Sequence, residues 1–118
     1  MRIGAHVARK GPATKVFEQA AEWGAEALQM FISAPQQWKP PILTDEDVAE
    51  FKAGHAAMPI PVFFHGVYLV NLAAEDTVLG NRSTGSLKQY LRRAGDMGVL
   101  GTFFHVWSNK GAGFEGTV

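Results

Sequence analysis

PVFFHGVYLVN, residues 61 to 71, decides how the rest of the chain is read. Val62, Phe63 and Phe64 form an apolar run behind Pro61, the run stops at His65, and Gly66 opens the next stretch. A run this short and this rich in β-branched and aromatic side chains is strand material, since a helix needs ten residues or more to be worth forming. The same shape recurs on both sides. RIGAH (2–6) and GTFFH (101–105) also close on histidine, so three of the four histidines, His6, His65 and His105, terminate an apolar segment.

Between these segments the sequence reads as helix. TKVFEQAAEW (14–23) places Val16, Phe17, Ala20 and Ala21 at helical spacing, and Gly24 is positioned to end the helix in a left-handed cap. ALQMFI (27–32) is a second strand, followed by the Pro-rich loop SAPQQWKPP. Thr44 with Asp47 makes a capping box for DEDVAEFKAGHAAM, where Val48, Phe51 and His55 share a stripe. After the loop GVYLVNLA, the segment SLKQYLRRAGDMG is a helix with an apolar face of Leu87, Tyr90, Leu91 and Ala94.

Short strands alternating with longer helices predict βα repeats around a parallel sheet, and the continuous apolar runs predict that both sheet faces are covered. In such sheets the ligand site lies beyond the carboxyl ends of the strands. His6, His65 and His105 are therefore expected at one end, where the strands leave the core and enter a pocket. A lone histidine behind an apolar run is more often a hydrogen-bonded rim residue than a ligand. Three at equivalent positions point to metal binding, because neighbouring imidazoles can present nitrogens to one ion. His55, inside a helix, is structural or solvated.

Composition narrows the rest. With 118 residues, 47% hydrophobic and 11 basic against 11 acidic side chains, the chain has the size of about one domain and no global field to attract a polyanion. Without cysteine there are no disulfides, thiolate metal sites or cysteine nucleophiles. No long apolar span or signal-like N-terminus is present, so a cytoplasmic location without a membrane partner is expected. Tyr68, Leu69 and Trp38 lie in loops at the histidine end. Their plain reading is packing against the rim, and their sharper one is a wedge that enters a DNA groove and stacks on bases. GAGFEG (111–116) matches the dinucleotide pattern GxGxxG, but no helix follows the glycines to hold a pyrophosphate, and a loop is expected.

IGAHV (3–7), LQMFISAPQQW (28–38), HGVYLVNLA (65–73) and FFHVWSNKGAGFEG (103–116) resemble, in order and spacing, the start of the endonuclease IV family of apurinic/apyrimidinic endonucleases. The resemblance implies a TIM (β/α)8 barrel of DNA repair that binds three zinc ions through histidines and carboxylates at the strand ends and cuts double-stranded DNA beside abasic sites. It puts His65 and His105 on zinc-ligand positions, and His6 at the pocket floor behind them. Tyr68 and Leu69 fall on the loop that probes the gap left by the missing base, with Gln36 and Trp38 also on the DNA side. Two departures stand out. Gln36 occupies a place where family members commonly have arginine, which removes a cation, and Val106-Trp107-Ser108-Asn109 replaces the family's Pro-Gly-Ser-His.

A complete barrel needs about 250 residues. The expectation is therefore a partial TIM barrel of α/β class: residues 1–118 form the N-terminal portion of one barrel domain, with about four parallel strands and three helices, ending after the fourth strand. The carboxylate ligands and later histidines would lie beyond Val118. Two other functions compete. One is a non-catalytic half barrel that self-associates through open edges at Arg2–His6 and Thr102–His105, with Ile3, Phe63 and Phe103 on its inward face. The other is a sugar isomerase or epimerase of a related barrel group, against which the YLVNLA and QQW segments argue.

Overall fold

Each strand of the chain carries alternating instructions: one parity of side chain packs under helices, and the other faces across the sheet. In the computed structural model, residues 1–106 are described. Their elements follow the order β1 (Gly4–Val7), α1 (Lys15–Glu22), β2 (Ala27–Met30), α2 (Asp45–Ala57), β3 (Val62–His65), α3 (Thr77–Met97) and β4 (Gly101–Phe103). The four strands form one parallel sheet in the order β1-β2-β3-β4. This is the α/β architecture read from the sequence, with four parallel strands and three helices.

Local chemistry sets the boundaries. Two helices end in the same device: Gly24 (φ +65°) and Gly98 (φ +69°) take the left-handed conformation. The next amide then reaches back, from Ala25 to the Ala20 carbonyl and from Val99 to the Ala94 carbonyl, both at 2.8 Å. Each turn feeds directly into a strand. Helix α2 begins with the expected capping box, in which the Thr44 hydroxyl accepts from the Asp47 amide and the Asp47 carboxylate accepts from the Thr44 amide. Helix α3 starts at Thr77, well before the predicted SLKQYLRRAGDMG, because the Asp76 carboxylate accepts from the Val78 and Leu79 amides.

The core lies between the sheet and the helices. Val7, Leu28, Met30, Val62 and Phe64 point into it from the strands and meet Val16, Phe17, Ala20, Phe51, Leu87, Tyr90 and Met97. Leu91, predicted on the apolar face of α3, is exposed; the buried stripe runs instead through Ser83, Leu87, Tyr90, Ala94 and Met97. Ser83 is fully buried and accepts from the Asn71 amide at 2.9 Å, so its small size lets the β3–α3 loop pack against the helix. His55 is structural: its Nε2 donates to the Ile60 carbonyl at 2.8 Å and its ring stacks on Phe17.

The expectation that both sheet faces are covered is corrected. Among the described residues, helices cover one face only. The other, bearing Gly4, His6, Ala27, Gln29, Phe63 and Phe103, lines an open groove of about 300 Å³, and Phe103 remains 51% exposed. Apolar runs therefore reflect an inner face that is apolar without being buried among the described residues. Ile3, expected to face inward, precedes β1 and shares the parity of Ala5 and Val7 instead.

Candidate functional site

All three histidines read as closing apolar runs reach the same end of the sheet, although His6 lies inside β1, which runs on to Val7, rather than closing it. The registers His6↔Gln29, Gln29↔Phe63 and Phe63↔Gly101 put His6 one level below His65, which pairs with Phe103, and His105 lies beyond the end of β4. The histidines thus climb diagonally across the strands, the stagger expected of a sheet built with barrel shear. They also stand close. The His6 and His65 rings are 5.8 Å apart and the His65 and His105 rings 5.3 Å apart between centroids.

Two further rings complete the cluster. Tyr68 lies 5.4 Å from His65 and 5.6 Å from His105, and it is 51% exposed. Its amide donates to the Pro35 carbonyl at 2.8 Å, which ties the β3–α3 loop to the β2–α2 loop. Phe31 sits 4.9 Å from His6, 4.8 Å from His65 and 5.3 Å from Tyr68. Sequence reasoning did not single it out. The available signal was positional: Phe31 directly follows β2, as a histidine lies within two residues of the end of each of the other strands, so it occupies the place of a fourth strand-end group.

The surroundings act on two of the imidazoles. His65 Nδ1 lies 2.6 Å from the Gly66 carbonyl, which can only accept, so Nδ1 is the donor of that bond and Nε2 is the ring nitrogen left for a ligand. A backbone carbonyl orienting a histidine in this way is the usual support for a metal ligand. Burial, and secondarily the adjacent His65, lower the pKa of His6 below the ordinary 6.5, so His6 is neutral at pH 7.

The remaining predicted residues divide. Gln36 is exposed on the β2–α2 loop. Trp38 and Leu69 are half-buried and pack on the hydrophobic core, as the plain reading of these loops has it. Arg9, missed in the sequence, is paired with Asp47 of the α2 capping box and lines a cleft of about 550 Å³ with His6, Phe31, Ser33 and Tyr68. Ser33 Oγ and the Tyr90 hydroxyl are 2.7 Å apart, which fixes one wall of this cleft to α3. Trp107, Ser108, Asn109 and the GAGFEG segment lie outside the described residues.

The donor chemistry fits zinc in part. Two imidazoles at neighbouring strand ends, one with its Nδ1 donating to a backbone carbonyl, are suitable ligands. Among the described residues, however, no group of three or more histidine, aspartate or glutamate side chains is arranged to hold a metal ion.

No protein-family model matches the chain. Probable endonuclease 4 of Streptomyces avermitilis is 34% identical over 110 residues, covering 92% of this chain and 36% of that protein. The crystal structure of endonuclease IV from Thermus thermophilus superposes with a TM-score of 0.86 at 33% identity, over 93% of this chain and 42% of that one. The 3-keto-D-glucoside 4-epimerase YcjR of E. coli shares the fold, with a TM-score of 0.61 at 15% identity. The chain thus spans well under half the length of the relatives it matches, and the resemblance carried by its four motifs extends over nearly all of it.

Proposed function

Starting from a chain that matches the N-terminal part of endonuclease IV in sequence and fold, we propose that it is the first portion of a zinc-dependent DNA-repair endonuclease that hydrolyses a phosphodiester beside an abasic site. The observation that carries this reading is the ring cluster at the carboxyl ends of the strands, where His65 and His105 stand 5.3 Å apart beside the exposed Tyr68. His65 and His105 would hold zinc, and the ion when bound lowers the pKa of a water and polarises a phosphoryl oxygen.

The chain's own residues do the rest. His6, neutral and packed against Phe31 and His65, is the floor that keeps the His65 ring upright. The Gly66 carbonyl accepts from His65 Nδ1. Tyr68, anchored through its amide to Pro35, presents an aromatic surface to the gap in an abasic duplex, where an unpaired space favours stacking. Leu69 and Trp38 stiffen the loop bases from the core side, and Gln36 offers a neutral donor and acceptor to the duplex. The described residues hold too few ligands for a complete metal site, so cleavage belongs to a longer protein or an assembly that supplies carboxylates.

The purified 118-residue chain is expected to bind zinc weakly, to cut abasic DNA not at all, and to bind an abasic duplex more tightly than the intact one. Tyr68→Ala should erase that difference. Equal affinity for the two duplexes in the unmodified chain would remove the abasic-site reading, and chelator-sensitive cleavage by the chain alone would overturn the incomplete-site reading.

A further inference from the structure

One cation beside the ring cluster is unused by that chemistry. The cleft between the β1–α1 and β2–α2 loops has a volume of about 550 Å³, within the range of ligand sites, and among the described residues Arg9 is the one permanently charged side chain that lines it. Its aromatic walls are Phe31 and Tyr68. A cationic group next to aromatic rings is the combination by which proteins hold a nucleic-acid strand, the charge meeting the backbone and the rings meeting bases or sugars.

Arg9 is not idle. Its guanidinium donates through one nitrogen to Asp47 Oδ1, while Asp47 Oδ2 serves the Thr44 amide and hydroxyl. The pair is partly open to solvent, with side chains 21% and 22% exposed. A contact through one nitrogen engages only part of the guanidinium fork, whereas a phosphate can take two parallel bonds from it. The capping box does not depend on Arg9, since Thr44 engages the other carboxylate oxygen. On the far side of Ser33 and Ala34, Lys39 lines a second, smaller groove of about 170 Å³, so a strand crossing this loop would meet another cation.

We propose that the cleft is a subsite for a backbone phosphate of a nucleic-acid strand, with Arg9 as the phosphate ligand and Asp47 as an internal competitor that holds the guanidinium at the rim until phosphate displaces it. The subsite rests on the nucleic-acid reading of the chain, though not on abasic specificity or on zinc. It adds a cation on the first strand-end loop, at Arg9, to Lys39 of the second loop, where position 36 carries a neutral glutamine.

Fluorescence anisotropy of the 118-residue chain with a labelled duplex, intact or carrying a tetrahydrofuran abasic analogue, tests this across a salt series. Arg9→Gln is expected to weaken binding to both duplexes about tenfold and to reduce the salt slope by about one, the signature of one lost phosphate contact. Asp47→Asn should strengthen binding several-fold, because it frees the guanidinium while keeping an amide oxygen for the Thr44 amide, and Arg9→Lys should retain much of the affinity. A purely structural ion pair would push Arg9→Gln and Asp47→Asn in the same direction. Unchanged affinity and slope in Arg9→Gln, or weaker binding in Asp47→Asn, overturns the proposal; should Arg9→Gln fail to fold by circular dichroism, the opposed signs of Asp47→Asn and Arg9→Lys decide. If the unmodified chain binds both duplexes equally but Arg9→Gln still loses its slope, the subsite stands and the abasic reading falls. If it binds neither, both fall.

Discussion

At the scale of single residues, His6 shows how position sets chemistry. Its pKa is lowered first by burial and then by the neighbouring His65, so the folded chain holds that proton less tightly than the unfolded chain, where the ordinary 6.5 applies. The native state therefore gives up stability as pH falls below 6.5 and down through the lowered folded value, and His6 costs nothing above 6.5. An NMR titration should find the His6 midpoint below 6.5, and His65→Ala should raise it only part of the way, because burial remains. A midpoint that His65→Ala restores fully to 6.5 would contradict this ordering of causes. The neighbouring question of which residues gather was readable where the sequence repeated itself: three histidines closing apolar runs were visible as a set. Phe31 was less legible because it has no polar atom to mark it as a site residue. Arg9 was illegible because its partner is 38 residues away, on a helix whose placement no local pattern gives.

Among the elements, the helices give the sharpest expectations. In α2, a Cβ at Gly54 would sit 2.6 Å from the Phe17 ring, and that ring is buried against Phe51 and His55 with little room to yield. Gly54→Ala should destabilise the chain by about 1–3 kcal/mol despite alanine's helical preference. At Gly85 of α3 nothing lies within 4 Å of the same position, so Gly85→Ala should stabilise by about 0.5–1 kcal/mol. Urea denaturation of the two variants side by side checks the opposite signs. On β4, Thr102 Oγ1 is buried with no hydrogen-bond partner among the described residues, and Thr102→Val should raise stability by about 1 kcal/mol. Asp47 adds a pH dependence. Its carboxyl is held below 3.8, chiefly by the Thr44 amide, with smaller contributions from the Thr44 hydroxyl and Arg9, so the stability it brings is present above 3.8 and lost as pH falls through its depressed value. The capping box and the Gly24 stop were plain in the sequence because both are local. The first turns of α3 were not, since Gly80, Asn81, Ser83, Thr84 and Gly85 are poor helix formers, held in helix here by the Asp76 cap and by packing at Ser83.

For the whole molecule, the governing feature is a sheet with one covered face and two edges, β1 and β4, that pair with no further strand among the described residues. The inner groove over Gly4, Gln29, Phe63 and Phe103 is apolar and open. Barrel closure ordinarily satisfies such edges and fills such an interior. The 118-residue chain in dilute solution is therefore expected to self-associate or to stay loosely packed on this face. Analytical ultracentrifugation with hydrogen exchange checks it: a monodisperse monomer with strongly protected amides in both β1 and β4 would show that the sheet is content as it stands. The order of the strands was legible from the βα alternation. The bare inner face was not, because an apolar run looks the same whether its outward side chains are covered or waiting to be.

The alternation along the strands also makes the site a matter of parity. His6, Phe31, His65 and His105 all fall on the inward phase of their strands or of the strands' continuations, while Val7, Met30 and Phe64 fall on the other. Loops and helices between the strands can gain or lose residues without changing which side chains enter the cluster. A single residue added or removed inside a strand cannot, for it would exchange the two phases and send Phe64 into the pocket and His65 under the helices. Drift in this chain is thus tolerated in the connections and quantised in the strands, where changes that preserve the site come in steps of two.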